Sequence, residues 1–206
     1  CEGEPTLVCF ALKEEAAAFR KRVTGRTDIS VLITGIGRAN AARSVREYLR
    51  HHAPRHVFTC GFAGGLNPQL QLGEVIFATA DAALRERLIN SKTRLATFVC
   101  VATIATTVAE KQQLRTTTQA DAVEMESEVI QAVCAERGIP CVTLRVISDT
   151  AREDLPLDFN QLTRPDQSLH FGKLALAIVK APGKIPALLR LQKQTSFAAN
   201  QLAAKL

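Results

Sequence analysis

A chain of 206 residues, 47% hydrophobic and 22% charged, has the size and apolar content of one globular domain; it is neither a disordered nor a collagen-like polymer. Aromatic residues make up 5%, with no Trp and only Tyr48, so a surface for stacking single-stranded nucleic-acid bases lacks its material. The net charge of +6 resides in the tail: from His170 to Leu206 there are six Lys and Arg and no Asp or Glu, and the remainder balances.

Residues 6–12 (TLVCFAL) predict a strand, and 13–23, with Ala17, Phe19 and Val23 at helical spacing, a helix. A second strand over 29–34 ends at Gly35-Ile-Gly37, and 39–52 follows as a helix. Residues 56–60 predict a third strand, broken by the glycine run 61–65, and 74–80 a fourth. Residues 81–97 show no clear period. Residues 98–106 predict a buried strand, 109–115 a short helix, 123–137 a longer helix stopped by Gly138 and Pro140, and 141–147 the last strand. Strands separated by helices imply a mixed, mostly parallel sheet covered on both faces, the α/β class. Residues 1–168 are expected to form the body and 169–206 a basic amphipathic helical tail, interrupted at Pro182-Gly183 and Pro186.

Six cysteines without a CxxC pair read as reduced core residues, and four histidines without ligand spacing imply no metal. No run nears the roughly 20 apolar residues of a membrane span and no signal-peptide pattern precedes Thr6, so a cytoplasmic location is expected. Cys1 at the start fits a trimmed terminus or a lipid-modified one.

In open α/β sheets ligands collect beyond the carboxyl ends of strands. Gly35-Ile-Gly37 opens a helix, as in a dinucleotide fingerprint, but the third glycine and the later acidic residue are missing; a tight structural turn fits equally. Gly61-Phe-Ala-Gly64-Gly65 lacks the GK[ST] of a P-loop, although its glycines let backbone N–H groups approach a ligand; a structural turn is the alternative. On a helix Glu124 and Glu126 would diverge by about 200°, so one is expected to face inward and the other out. Asp149 alone would read as an N-cap. Arg145, inside an apolar strand, requires an anion or a function to justify its burial.

Together, Phe10-Ala-Leu-Lys-Glu-Glu15, Thr34-Gly-Ile-Gly37, Cys60-Gly-Phe-Ala-Gly-Gly65-Leu, Val123-Glu-Met-Glu-Ser127 and Arg145-Val-Ile-Ser-Asp149 resemble, in order, the nucleoside phosphorylase superfamily. The nearest pattern is that of methylthioadenosine/S-adenosylhomocysteine nucleosidases and hopanoid-associated phosphorylase-like proteins. The resemblance implies a three-layer α/β/α sandwich that cleaves the N-glycosidic bond of a 5′-substituted purine nucleoside. That reaction passes through an oxocarbenium-like sugar and needs a proton donor at the base, a clamp on the ribose hydroxyls and an activated nucleophile. By the match, Asp149 protonates purine N7 and Ser148 steers it. Glu126 holds the ribose hydroxyls, Met125 packs on the sugar, Glu15 orients attacking water, Arg145 lies near the nucleophile, and Glu124 is a second acidic position. Gly37 and the run Gly61, Phe62, Ala63, Gly64 complete the expected substrate site. No cofactor is implied, beyond phosphate as an alternative co-substrate. A homo-oligomer is expected, and nucleic acid is not.

Departures from the pattern are Phe62 where many members carry Ser, Phe10 in place of Gly, Thr59 where a phosphate-binding Arg can stand, and a shortened stretch from Gly65 to Glu124. The missing Arg favours water over phosphate. Residues 102–124 and the ending Ile185-Pro-Ala-Leu-Leu-Arg-Leu resemble the hopanoid-associated group, whose substrate is a lipid-linked adenosyl unit. The acid-free tail would then rest on an anionic membrane; packing on the domain or on a second subunit is the alternative. Phe10 and Phe62 also leave room for a binding protein without turnover.

Overall fold

A computed structural model describes residues 5–162 and 182–206. Strand β1 (Thr6–Phe10) shows how the layers arise, because its side chains alternate between two cores. Leu7 and Cys9 join Ala41, Val45 and Leu49 of α2 (Arg38–His51) and Ile130 and Val133 of α5 (Ser127–Ala135). Val8 and Phe10 join Phe19 of α1 (Lys13–Arg22), Leu84 and Leu88 of α3 (Ala82–Asn90) and Ala198 and Leu202 of α6 (Ile185–Ala203). Apolar residues at every fourth position, as at Ala41, Val45 and Leu49, give each helix one buried stripe. The result is the expected α/β/α sandwich.

The remaining strands are β2 (Ile29–Ile33), β3 (Val57–Gly65), β4 (Val75–Thr79), β5 (Arg94–Leu95), β6 (Phe98–Cys100), β7 (Ala122–Glu124) and β8 (Cys141–Asp149), with helix α4 (Val108–Thr118) before β7. Among the described residues they form one mixed sheet in the order β2-β1-β3-β8-β4-β5, and β7 links the far end of β3 to β6. Five pairings are parallel; β4–β8 and β3–β7 are antiparallel.

The site is created where β3 changes neighbours. Residues 57–60 pair with β1, whereas Gly64 and Gly65 pair with β7. Between them Gly61 adopts φ +152°, a conformation other residues rarely take, and the β3–β8 register slips between Ala63 and Gly64. The crevice beyond β1 therefore opens beside the glycine run, at a switch point of the sheet.

Four expectations need correction. The glycine run is not a turn that ends the strand, because β3 continues through Gly65 between β8 and β7. Residues 123–137 are not one helix: 122–124 are strand β7, and the helix starts at Ser127. Its propensity is overridden by the Glu124 carboxylate, which accepts hydrogen bonds from the N–H groups of Glu126 and Ser127 and from Ser127 Oγ. The strand expected over 98–106 stops at Cys100. The unpatterned stretch 81–97 contains α3, capped by Asp81, whose side chain accepts from the Leu84 N–H.

Cys9, Cys60 and Cys134 are buried and, with the half-buried Cys100 and Cys141, are free thiols; Cys1 lies outside the described residues. So do residues 163–181, including the first part of the tail with Lys173 and Lys180. Pro182 and Gly183 form a 3-10 turn, and Pro186 starts α6 instead of breaking it, since the first helical turn needs no N–H partner. Helix α6 buries Ala198, Ala199, Leu202 and Ala203 and leaves Ile185, Leu189 and Phe197 exposed. Among the described residues no helix is long and apolar enough to cross a membrane.

Candidate active site

The crevice is a cavity of about 370 Å³. Its polar side is formed by Glu15, Glu124, Glu126, Ser148 and Asp149, with Phe62, Ala63, Gly64 and Met125 between them. Gly37, Gly61 and Arg145 do not line it; each acts from behind on a residue that does.

Glu15 opens α1 and is only 6% exposed. Its carboxylate accepts hydrogen bonds from the N–H of Leu12 at 2.9 Å and of Phe62 at 3.0 Å, so the glycine run supplies its backbone donor to this side chain. Gly61 makes the approach possible, since a Cβ there would lie 2.8 Å from Glu15 Oε1. Gly61→Ala is expected to displace Glu15 and strain the backbone: activity should fall at least tenfold, with about 1–3 kcal/mol of stability lost. Chemical denaturation and turnover measured on the same sample check this.

Glu126 follows β7, and its Oε1 accepts from the Gly37 N–H at 2.8 Å. Gly37 is the N-cap of α2, so the helix N-terminus that Gly35-Ile-Gly37 suggested for a phosphate is satisfied by a carboxylate of the chain itself. Glu124 and Glu126 do not point apart as a helix would have placed them. Arg145 Nη2 lies 2.7 Å from Glu124 Oε2 and 3.9 Å from Glu126 Oε2, and it also donates to Thr59 Oγ1 at 3.1 Å. Thr59, noted for not being an arginine, is the hydroxyl that anchors one. Phe10, another departure, is a core residue packed on Phe19.

At the other end of the run Asp149 ends β8. Ser148 Oγ donates to its Oδ1 at 2.7 Å, and Lys111 Nζ from α4 stands 2.6 Å from its Oδ2. A Cβ on Gly64 would lie 3.3 Å from Asp149 Oδ2. Gly61 faces Glu15 and Gly64 faces Asp149 at a spacing of three positions; the β3–β8 register slips between Ala63 and Gly64, where such an odd spacing would otherwise invert the face. At the rise of a strand this sets the two carboxyls' glycines about 10 Å apart, the scale of a nucleoside.

The four carboxyls thus divide. Glu124 has Arg145 and Asp149 has Lys111, each a buried cation. Burial pushes Glu124 up, but Arg145 and the hydrogen bonds from Ser127 and the Glu126 N–H outweigh it and hold the group below the usual carboxylate range. Among the described residues Glu15 has no ion-pair partner, and Glu126 meets only the same guanidinium, that of Arg145, at 3.9 Å. Burial raises Glu15, against the N–H groups of Phe62 and Leu12. Burial lifts Glu126 to about 7, although Arg145 and the Gly37 N–H pull it down. The more distant Glu124 and Glu15 raise it further.

A stability signature follows. Glu126 binds its proton more tightly when folded than at its ordinary 4.5, so its contribution is complete below that pH and is lost as pH rises through about 7. The ligand-free protein should therefore lose thermal stability across that interval, and Glu126→Gln should flatten the decline; an unchanged slope in the variant would refute the assignment.

Sequence reasoning missed Lys111, which sits in the polar run Glu-Lys-Gln-Gln and carries no local sign of burial, and the apolar wall made by Val101, Ile104, Leu155, Phe159 and Leu191. These come from loops and from α6, whose mutual approach is a tertiary fact.

With this geometry in view, comparison with known proteins is informative. A family model described as "Phosphorylase superfamily" matches residues 10–88 and 76–180. The 5′-methylthioadenosine/S-adenosylhomocysteine nucleosidase of Anoxybacillus flavithermus is 26% identical over 84% of this chain and 97% of its own length. The aminodeoxyfutalosine nucleosidase of Campylobacter jejuni is 25% identical over 61% of this chain and 69% of its own. Among solved structures, futalosine hydrolase of Helicobacter pylori superposes with a TM-score of 0.74 at 15% identity, covering 98% of this chain and 95% of that one. A solved structure of the 5′-methylthioadenosine/S-adenosylhomocysteine nucleosidase of Campylobacter jejuni gives 0.70 at 17%, with 98% of each chain covered. Those two superpositions carry the fold.

Proposed function

This chain belongs to the phosphorylase superfamily, and we propose that it hydrolyses the N-glycosidic bond of a purine nucleoside with an apolar 5′ substituent, using water and not phosphate. One observation carries the reading. The two backbone N–H groups best placed to cradle an anion, those of Gly37 and Phe62, already donate to Glu126 and Glu15, and the buried guanidinium at that end, Arg145, is ion-paired to Glu124. A phosphate dianion would meet carboxylates there. A water and a developing sugar cation are favoured by the same charges.

The steps follow from the residues. Glu126 accepts hydrogen bonds from the ribose hydroxyls and lies near the positive charge that grows on the ring. The C1′–N bond breaks with its electron pair passing to the base, and Asp149, which has first taken up a proton from solvent, gives that proton to a base nitrogen. Glu15, raised by burial toward the working pH, takes a proton from the water whose oxygen attacks C1′. Free base and free sugar leave, and the proton on Glu15 exchanges with solvent as Asp149 regains one. Met125 covers the sugar. The wall of Val101, Ile104, Leu155, Phe159 and Leu191 favours a 5′ group that loses little by leaving water.

Incubation with methylthioadenosine, S-adenosylhomocysteine, adenosine, inosine and a 5′-alkyl adenosine, each with and without phosphate, tests this. Free base should appear without phosphate, faster for apolar 5′ groups, and the sugar should carry no 1-phosphate. Purine binding by calorimetry without base release from any substrate would favour the non-catalytic alternative.

A further inference from the structure

Lys111 is a buried ammonium that the steps above leave unexplained. It is the one fully buried residue of α4, and its side chain is 0% accessible. Lysine is rarely buried to that extent unless its head group is fully paired. Here it is: Nζ donates to the carbonyls of Thr150 and Glu153, both at 2.8 Å, and meets Asp149 Oδ2 at 2.6 Å, three acceptors for three protons. The other Asp149 oxygen accepts from Ser148. Helix α4 is tied to the same loop, since the Val108 N–H donates to Asp149's near neighbour Asp154. A hydrophobic residue would fill this position with less desolvation, so the ammonium is there for what it holds.

We propose that Lys111 is a positioning residue for the base-end acid: it fixes the orientation of the Asp149 carboxyl and stabilises the carboxylate left when that group has given its proton to the departing purine. This rests on the hydrolytic reading above. In the step, the O–H bond of Asp149 breaks, an N–H bond forms on the base, and Lys111 keeps all three of its protons. The cation is pre-placed where negative charge develops.

The test compares two leaving groups on one sugar. Purine release from methylthioadenosine needs protonation of the base, whereas p-nitrophenolate leaves a p-nitrophenyl 5-methylthioriboside unprotonated. Lys111→Gln should lower kcat for the purine substrate about 10²-fold with little change in KM, and leave kcat for the nitrophenyl substrate within a few-fold of wild type. Lys111→Arg should recover most of the loss, and Lys111→Gln added to Asp149→Asn should cost little more than Asp149→Asn alone. Equal loss on both substrates, or full additivity with Asp149→Asn, would overturn the proposal while leaving the hydrolytic reading intact. If Lys111→Gln does not fold, Lys111→Arg decides: a folded arginine variant that keeps purine release, or loses it while releasing nitrophenolate normally, supports the proposal, and one that loses both equally overturns it. Wild type releasing no purine from any nucleoside would instead remove the hydrolytic reading.

Discussion

Glu15→Gln should lower kcat for base release by about 10²–10⁴-fold while the protein stays folded and still binds nucleoside. The amide fills the same space, and its one oxygen can still accept from the N–H of Leu12 or of Phe62, which meet different oxygens of the carboxylate, so the cavity wall persists with one of the two hydrogen bonds lost. What disappears is the group that takes a proton from water. Because Glu15 is raised by burial, the acid limb of the wild-type pH–rate profile should lie above the ordinary carboxylate range, and the residual activity of Glu15→Gln should lack that limb. Calorimetric binding of a purine nucleoside, compared with single-turnover base release, separates binding from chemistry. A variant that keeps wild-type kcat would remove Glu15 as the base.

The second large effect is on stability. Arg145→Met should cost about 3–5 kcal/mol, because it leaves Glu124, itself only 1% exposed at the side chain, as an unpaired buried charge. Arg145→Met combined with Glu124→Leu should recover much of that loss, since replacing both partners by apolar groups removes the orphan. Equilibrium urea unfolding of the four proteins in the cycle measures the coupling. The double variant should nevertheless be inactive, because Glu124 shapes the turn that presents Met125 and Glu126. If Arg145→Met costs under about 1 kcal/mol, the guanidinium is not the anchor of this carboxylate cluster.

Much of the site was legible because single residues violate local expectation. Arg145 in an apolar strand had to have an anion, and the structure supplies Glu124 at 2.7 Å. Glu15, Glu126 and Asp149 were legible through the order of their motifs. Their spacing alone misled: two carboxylates at i and i+2 were read on a helix, and a strand end followed by a tight turn brings both to one guanidinium. Phe62 looked like the loss of a polar side-chain contact to the nucleophile; its backbone N–H, which any residue other than proline provides, donates to Glu15 instead.

By itself the sequence determined what depends on period and residue type: alternating and four-spaced apolar residues specify strands and helices that need cover on both faces, and hence the three layers. It also determined that a charged residue, Arg145, would lie inside an apolar strand and need an anion. Only the tertiary structure decided which charges meet. Lys111 and Asp149 lie 38 positions apart on a helix and a strand with no shared pattern, and the partner a carboxyl finds depends on how the sheet turns at Gly61 and slips at Gly64. Pairing energies act through space at a few ångströms, and local periodicity carries no information about which distant segment fills that space.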